Sequence, residues 1–102
     1  MLKAIIIDDE QDCVKLLSLQ LKMYCPQVQV IATCTSSEEG LHKIIELKPS
    51  IVFLDIEMPV MNGFQMLEKI GEIHFCLVFV TAYDQFAVKA FRFCALDYLL
   101  KP

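Results

Sequence analysis

The chain has 102 residues, a formal net charge of −4 and 56% hydrophobic residues. Its length fits one domain, and its apolar content excludes a disordered linker, which buries too little apolar surface to fold. No cluster of lysine or arginine offers the basic stripe that direct nucleic-acid binding needs. No apolar run approaches the roughly 20 residues that span a bilayer, and the first run meets acids too early for a signal peptide. We therefore predict a cytoplasmic protein that does not bind membranes.

The cysteines are odd in number and contain no CxxC pair. This pattern argues against a disulfide framework or a zinc site. We expect reduced core residues at all of these positions: Cys13, Cys25, Cys34, Cys76 and Cys94.

The first half of the chain alternates between strand and helix patterns. Residues 4–7 form an apolar run that suits a strand buried on both faces. Apolar residues then recur at helical spacing until Pro26, which ends the helix. Residues 28–32 alternate as an edge strand does, and Ser36 with Glu39 predicts a capping box for a second helix that ends before Pro49.

The second half continues the alternation. Residues 51–54 predict a strand closed by Asp55, and a turn-rich loop leads to a helix over residues 64–70. Residues 76–80 are a strongly apolar strand that ends at Thr81. Asp84 is positioned to cap a fourth helix, whose apolar stripe includes Phe86, Ala90 and Phe93, and residues 95–100 predict a last strand.

Strands that alternate with helices predict a parallel sheet with right-handed crossovers. The expected fold is α/β and flavodoxin-like, with five parallel strands in the order 2-1-3-4-5 and helices on both faces. We expect one domain over residues 1–102, in which the last helix of such a fold is missing. One sheet face would then be partly bare, unless the chain is a fragment or a neighbouring chain covers it.

Polar residues follow the carboxyl ends of these strands. In an open α/β sheet, ligands bind at this edge, where the strand order reverses. The predicted order therefore gathers three carboxylates, a hydroxyl and an ammonium from Asp8, Asp9, Asp55, Thr81 and Lys101.

The chemistry of such a group is restricted. Close carboxylates repel each other unless a cation lies among them, and oxygen ligands without His or Cys favour Mg²⁺ or Mn²⁺. A metal would neutralise the approach of a phosphoryl group to a carboxylate nucleophile, and Thr81 and Lys101 would contact its oxygens. Asp55 is the natural acceptor because its strand is central.

Each residue also has an ordinary structural explanation. Either acid of the first pair could cap a helix, and Asp55 could begin a turn. Thr81 could be a common strand end, and Lys101 a solvated charge. A single shared site is the better interpretation because it accounts for all of these positions together.

The motifs resemble the receiver domain of bacterial two-component response regulators, over essentially the whole chain. They are Asp8-Asp9-Glu10, Asp55 followed by MPVMNG, Thr81-Ala82 and Lys101-Pro102. The segment TAYDQFAVKAFRFCALDYLLKP is similar to receivers of the LytTR class, which carry a DNA-binding domain after the receiver. The family usually has a fifth helix, and its Lys-Pro bond is often cis.

The resemblance implies a role for each residue of the site. Asp55 would accept a phosphoryl group from the phosphohistidine of a sensor histidine kinase. Mg²⁺ would bind Asp8, Asp9, Asp55 and the backbone carbonyl of Glu57. Thr81 and Lys101 would hold the phosphoryl group, and Tyr98 would reorient on activation. Glu57 and Tyr83 occupy positions that tune the phosphoryl lifetime.

Phosphorylation would therefore act as a two-state switch. Thr81 would move inward, Tyr98 would turn into the space, and the face made by the fourth helix and fifth strand would repack to bind a partner, often a second receiver. Candidates for this homodimer surface are Phe86, Phe91 and Phe93, with core packing as the alternative. DNA would be bound only through an effector domain that is absent from this chain.

Three other functions fit the residues less well. A Mg²⁺-dependent phosphohydrolase with an aspartyl-phosphate intermediate is the main rival, although such enzymes of the haloacid dehalogenase type place a DxD pair on their first strand. A nucleotide-binding fold is disfavoured because no Gly-rich turn follows the first strand. A phosphorylation-independent module would gain nothing from uncompensated acids. We expect His42 and His74 to be surface residues or residues whose hydrogen bonds are satisfied.

Overall fold

Strands and helices alternate along the chain as predicted. The structure is a computed structural model that describes residues 1–101, apart from the side chain of Phe91. Pro102, and with it the Lys101–Pro102 bond, lies outside the described residues. The elements are β1 Leu2–Ile7, α1 Gln11–Tyr24, β2 Val28–Cys34, α2 Ser37–Leu47, β3 Ile51–Leu54, α3 Gly63–Ile70, β4 Cys76–Thr81, α4 Ala87–Ala90, a 3₁₀ turn Phe91–Phe93 and β5 Asp97–Leu100.

The sheet has five parallel strands in the order β2-β1-β3-β4-β5, which confirms the predicted fold. Residues that alternate along β1 divide the core into two layers. Ile5 and Ile7 belong to the layer covered by α2, α3 and α4, whereas Ala4 and Ile6 belong to the layer covered by α1. The central strand β3 is buried along its whole length, as strands covered on both faces are.

Side chains at the helix starts satisfy free backbone N–H groups. The Ser36 hydroxyl accepts a hydrogen bond from Glu39 N at 3.2 Å, as predicted. The Glu39 carboxylate accepts from Thr35 N, one residue earlier than in the predicted reciprocal box. A complete capping box, which the sequence analysis did not identify, begins α3 and joins Asn62 to Gln65.

The fourth helix is much shorter than the sequence pattern predicts. The α-helix covers only Ala87–Ala90 and passes into the 3₁₀ turn, and Cys94 then adopts a left-handed φ of 54°. The physical reason is aromatic packing, because Phe86 and Phe93 both lie against the ring of Phe64 in α3. The segment bends to keep both contacts, and aromatic residues have low helix propensity.

Several predicted burials were wrong. Cys76 and Cys94 are exposed, because Cys76 begins an edge-proximal strand and Cys94 lies in a turn, whereas Cys34 is buried as expected. All of the cysteines are free, and no helix in the described residues is long and apolar enough to cross a membrane.

Candidate functional site

The ends of four strands bring distant residues to one edge of the sheet. The hydrogen-bond ladder continues beyond the strands, since Asp55 N donates to Ile7 O at 2.9 Å and Lys101 N donates to Thr81 O at 2.7 Å. These bonds fix the backbone of Asp55 beside that of Asp8, and the backbone of Lys101 beside β4. The convergence therefore follows from the parallel order of the strands.

The Lys101 ammonium lies among the carboxylates. Its Nζ is 2.9 Å from Oδ2 of Asp8, 3.2 Å from Oδ2 of Asp55 and 3.5 Å from Oε1 of Glu10. Asp8 and Asp55 are buried, whereas Glu10 is exposed. A buried charge requires such a partner, because desolvation of an unpaired ion is costly.

The pKa values of Asp55 and Lys101 are both raised, but for different reasons. Burial and the nearby Asp8 charge raise the pKa of Asp55 to about 6, although Lys101 opposes this shift. Burial alone would lower the pKa of Lys101, but its hydrogen bond to Asp8 and the charge of Asp55 outweigh burial and raise that pKa. Lys101 is therefore charged at neutral pH. The pKa of Asp55 lies close to neutral pH, so a bound cation would favour the ionised carboxylate.

The residues fit a divalent cation. Carboxylate oxygens of Asp8, Asp9 and Asp55 lie within 4.8 Å of one another. Oδ1 of Asp9 is buried and has no hydrogen-bond partner among the described residues. Buried oxygens are normally satisfied, and an all-oxygen donor set suits Mg²⁺. This arrangement can hold a hard cation.

A groove with a volume of about 1080 Å³ lies beside this acidic cluster, and Asp9 is part of its wall. The groove runs between the start of α2 and the loop after β3, with His42 and Val60 among its lining residues. His42 and His74 are both exposed, as predicted.

Thr81 and two tyrosines form a connected group beside the acids. The fully buried Thr81 accepts a hydrogen bond through Oγ1 from Tyr83 N at 3.3 Å. The Tyr98 hydroxyl donates to the backbone carbonyl of Tyr83, and the Tyr98 ring packs 6.1 Å from the ring of Phe79. Movement of the Thr81 hydroxyl would therefore change the loop that holds Tyr98. Glu57 is exposed at the start of the loop after β3.

The predicted phenylalanine surface is not found at the residues that the structure describes. Phe86 and Phe93 are half-buried and pack against the main core, which confirms the alternative interpretation for both. The side chain of Phe91 lies outside the described residues. On this face, Val88 and Leu96 are exposed instead, and the sequence pattern did not single them out.

The loop between β3 and α3 folds tightly against the acceptor strand. Gly63 N donates to Ile56 O at 2.9 Å, and a Cβ on Gly63 would lie only 2.5 Å from the backbone oxygen of Asp55. The Ser37 hydroxyl donates to Met61 O at 2.6 Å and ties the loop to α2. Val60, at the tip, is fully exposed and has a φ of 70°.

Glu10 and Cys13 lie beside Lys101, although the sequence alone predicts no role for either residue. Glu10 contacts the ammonium directly. The Cys13 side chain also faces it: burial raises the pKa of the thiol, and the Lys101 charge and a hydrogen bond from Lys101 oppose that shift. Their places in the sequence are the clue to this contact: Glu10 directly follows the acid pair, and Cys13 lies on the first turn of α1.

Comparison with known proteins decides the family. The model for the response regulator receiver domain matches residues 4–102. The chain belongs to this family. Relatives include an uncharacterized response regulatory protein of Vibrio cholerae, 47% identical over 103 residues, and the transcriptional regulatory protein BtsR of Escherichia coli, 37% identical over 106 residues. Each match covers 100% of this chain and 43% of the relative, so the chain spans about two-fifths of the length of these proteins.

Solved receiver structures have the same fold. The response regulatory domain of mrkE from Klebsiella pneumoniae is 31% identical, with a TM-score of 0.88 over 98% of this chain and 83% of that one. The CheX-CheY-BeF3-Mg+2 complex from Borrelia burgdorferi is 25% identical, with a TM-score of 0.87 over 99% of this chain and 78% of that one. The chain is a receiver domain of a two-component response regulator.

Proposed function

We propose that this receiver domain accepts a phosphoryl group on Asp55 from the phosphohistidine of a sensor histidine kinase. One observation supports the proposal most strongly: a buried ammonium bridges Asp8 and Asp55 beside an Asp9 oxygen with no partner in the described residues. In the proposed transfer, an Asp55 oxygen forms a bond to phosphorus while the phosphorus–nitrogen bond of the kinase breaks. The imidazole keeps the electron pair.

We propose that Mg²⁺ is bound by Asp8, Asp9, Asp55 and the backbone carbonyl of Glu57, with Mn²⁺ as a possible substitute. The metal would neutralise charge between the acceptor and the phosphoryl oxygens. Asp8 and Asp9 would hold the cation, while Lys101 would move its hydrogen bonds from carboxylate to phosphoryl oxygens. The support is the donor set and the unsatisfied Asp9 oxygen.

The same proposal gives Thr81 and Tyr98 the role of the switch. A phosphoryl group would offer the Thr81 hydroxyl an acceptor. Movement toward it would break the hydrogen bond that Thr81 Oγ1 accepts from Tyr83 N. The loop would shift, the Tyr98 hydroxyl would leave the Tyr83 carbonyl, and its ring would turn inward. The present hydrogen bonds support this order of events because they already connect the three residues. Glu57 and Tyr83 would tune the phosphoryl lifetime.

We propose that the repacked surface of α4 and β5 forms a homodimer. Exposed apolar residues on both elements support this: Val88 on α4, and Leu99 and Leu100 on β5. The chain would act as a cytoplasmic regulator and not as an enzyme with turnover. The output would come from a LytTR-type DNA-binding domain in the full-length protein, which the regulatory name of BtsR supports.

Acetyl phosphate tests the acceptor. The chain is incubated with acetyl phosphate and Mg²⁺, and intact mass and peptide mapping follow the adduct. One phosphoryl group on Asp55 is expected, with none on Asp55→Asn and an unchanged adduct on the exposed control Asp12→Asn. Modification at another residue would contradict the assignment. Rapid release of phosphate from added phosphomonoesters would favour the phosphohydrolase instead.

A further inference from the structure

Glu10 is a third carboxylate at Lys101, and it differs from the other two in exposure. Its side chain is 65% exposed, whereas that of Asp8 is 6% and that of Asp55 is 4%. Its backbone is nevertheless held at the site, because Glu10 N donates to Oδ1 of Asp8 at 2.9 Å. The Glu10 carboxylate therefore meets the ammonium from the solvent side of the site, 3.5 Å away.

This inference rests on the proposed function, in which the carboxylates of Asp8, Asp55 and Glu10 have different roles. Asp8 would bind the metal and Asp55 would become esterified, so both would release Lys101. Glu10 is not a member of the group formed by oxygens of Asp8, Asp9 and Asp55, although one of its oxygens lies within 4.8 Å of an Asp8 oxygen in a second group that includes Cys13. Neither metal binding by Asp8 nor esterification of Asp55 removes the Glu10 charge. Glu10 therefore remains beside the ammonium that would bind the phosphoryl group.

We propose that Glu10 is a positioning residue that competes with the phosphoryl group for Lys101 and so weakens binding of anionic phosphodonors. Two effects have the same sign. The carboxylate forms an ion pair with an ammonium that an anion would otherwise contact, and its negative charge repels an approaching anion. Both lower the affinity of the site for the donor before any chemistry occurs.

The same negative charge attracts a divalent cation, so it favours Mg²⁺ binding. Removal of the Glu10 charge is therefore expected to change the two affinities in opposite directions. Anion affinity rises and Mg²⁺ affinity falls. A residue with a purely structural role would not produce opposite changes, because a disordered site loses both ligands.

The position of Glu10 at the start of α1 offers a competing explanation. A negative charge there interacts favourably with the helix dipole, but Glu10 makes no side-chain capping hydrogen bond. Asp12 provides a matched control, because it is an exposed acid in the first turn of the same helix. If only the dipole matters, Asp12→Asn and Glu10→Gln should behave alike.

Beryllofluoride, a stable mimic of a phosphoryl group, is the probe. It is titrated at saturating Mg²⁺ into the wild type, Glu10→Gln and Asp12→Asn, and Mg²⁺ is titrated separately; NMR shifts report binding. We expect Glu10→Gln to bind beryllofluoride about threefold more tightly, as suits an exposed ion pair, and Mg²⁺ more weakly. The difference in beryllofluoride affinity between Glu10→Gln and the wild type should become smaller in high salt. Asp12→Asn should match the wild type.

Glu10→Ser gives a second test that preserves the helix, because serine is a preferred N-cap residue. The same rise in beryllofluoride affinity is expected. Equal or weaker beryllofluoride binding by both Glu10 variants, with normal binding by the wild type, would overturn the inference. Failure of the wild type to bind beryllofluoride would instead contradict the proposed function.

Discussion

Lys101 and Asp55 are 46 positions apart in the chain, yet Nζ of Lys101 lies 3.2 Å from Oδ2 of Asp55. The lysine follows β5 at the sheet edge and the aspartate follows the central β3, with β4 between them. The long lysine side chain spans the end of β4. The same ammonium also contacts Asp8 at 2.9 Å, so one cation links the ends of three strands.

Asp55→Asn should stabilise the domain at neutral pH. The pKa of Asp55 is about 6 in the folded chain and its ordinary value is 3.8. As pH rises between these values, the unfolded chain releases its proton first, so folded stability falls across that window. We expect the variant to be about 2 kcal/mol more stable at pH 7 and equal to the wild type near pH 4.

Urea unfolding at the two pH values, with a chelator present, measures this difference. Asp12→Asn is the matched control, because Asp12 is an exposed acid in the first turn of α1. A stability gap that stays constant with pH would contradict the titration of Asp55 as its source.

Lys101→Met should separate the role of the ammonium in stability from its effect on metal binding. The change leaves the buried Asp8 and Asp55 uncompensated, which should cost about 3 kcal/mol at pH 7. Mg²⁺ no longer competes with an ammonium for these carboxylates, and its affinity should rise about tenfold. Mg²⁺ should therefore restore much of the lost stability.

Thermal unfolding with and without Mg²⁺ checks both effects. Lys22→Met removes an exposed lysine from the last turn of α1 and should change neither quantity. Weaker Mg²⁺ binding by Lys101→Met would show that the lysine supports the metal site and does not compete for it.

Gly63→Ala should disturb the acceptor strand. The new methyl group would lie 2.5 Å from the backbone oxygen of Asp55 and 3.2 Å from Cα of Ile56, and backbone atoms cannot rotate away. We expect a loss of about 2 kcal/mol and changed NMR shifts at Asp55. Gly71→Ala is the comparison. Its new methyl group would have no atom within 4 Å, so the φ of 80° at this position is the source of strain. It should cost about 1 kcal/mol and leave the Asp55 shifts unchanged.

Val60→Asn should relieve backbone strain. A β-branched residue is unfavourable at a φ of 70°, whereas asparagine tolerates positive φ. Because the valine is fully exposed, its loss removes no packing, and stability should rise by about 1 kcal/mol. Val60→Thr is polar but still β-branched, so it should not stabilise. Equal gains in the two variants would point to surface polarity as the cause.

The sequence was sufficient to predict the sheet order and the meeting of Asp8, Asp55 and Lys101, because parallel strands place their carboxyl ends at one edge. Hydrophobic periodicity was less reliable after Thr81. Phe86 and Phe93 share a helical stripe in the sequence, but their contacts with Phe64 bend the segment, and no local pattern encodes a long-range contact.

The details around Lys101 were also beyond sequence reasoning. The strand ends predict that the lysine meets buried acids, but the contact with Glu10 depends on how the chain turns into α1. The close approach of Gly63 to Asp55 likewise arises from the path of a loop. Side-chain direction in loops is set by tertiary packing, which spacing does not reveal.

Phe64 makes aromatic contacts with Phe79, Phe86 and Phe93, and its ring also receives the ammonium of Lys89 at 4.7 Å. Much of the attachment of the short α4 segment therefore depends on a single anchor in α3. Because Phe86 precedes this helix and Phe93 ends the 3₁₀ turn after it, one ring in α3 holds both ends of the segment. A shorter side chain at Phe64 would therefore loosen both ends together.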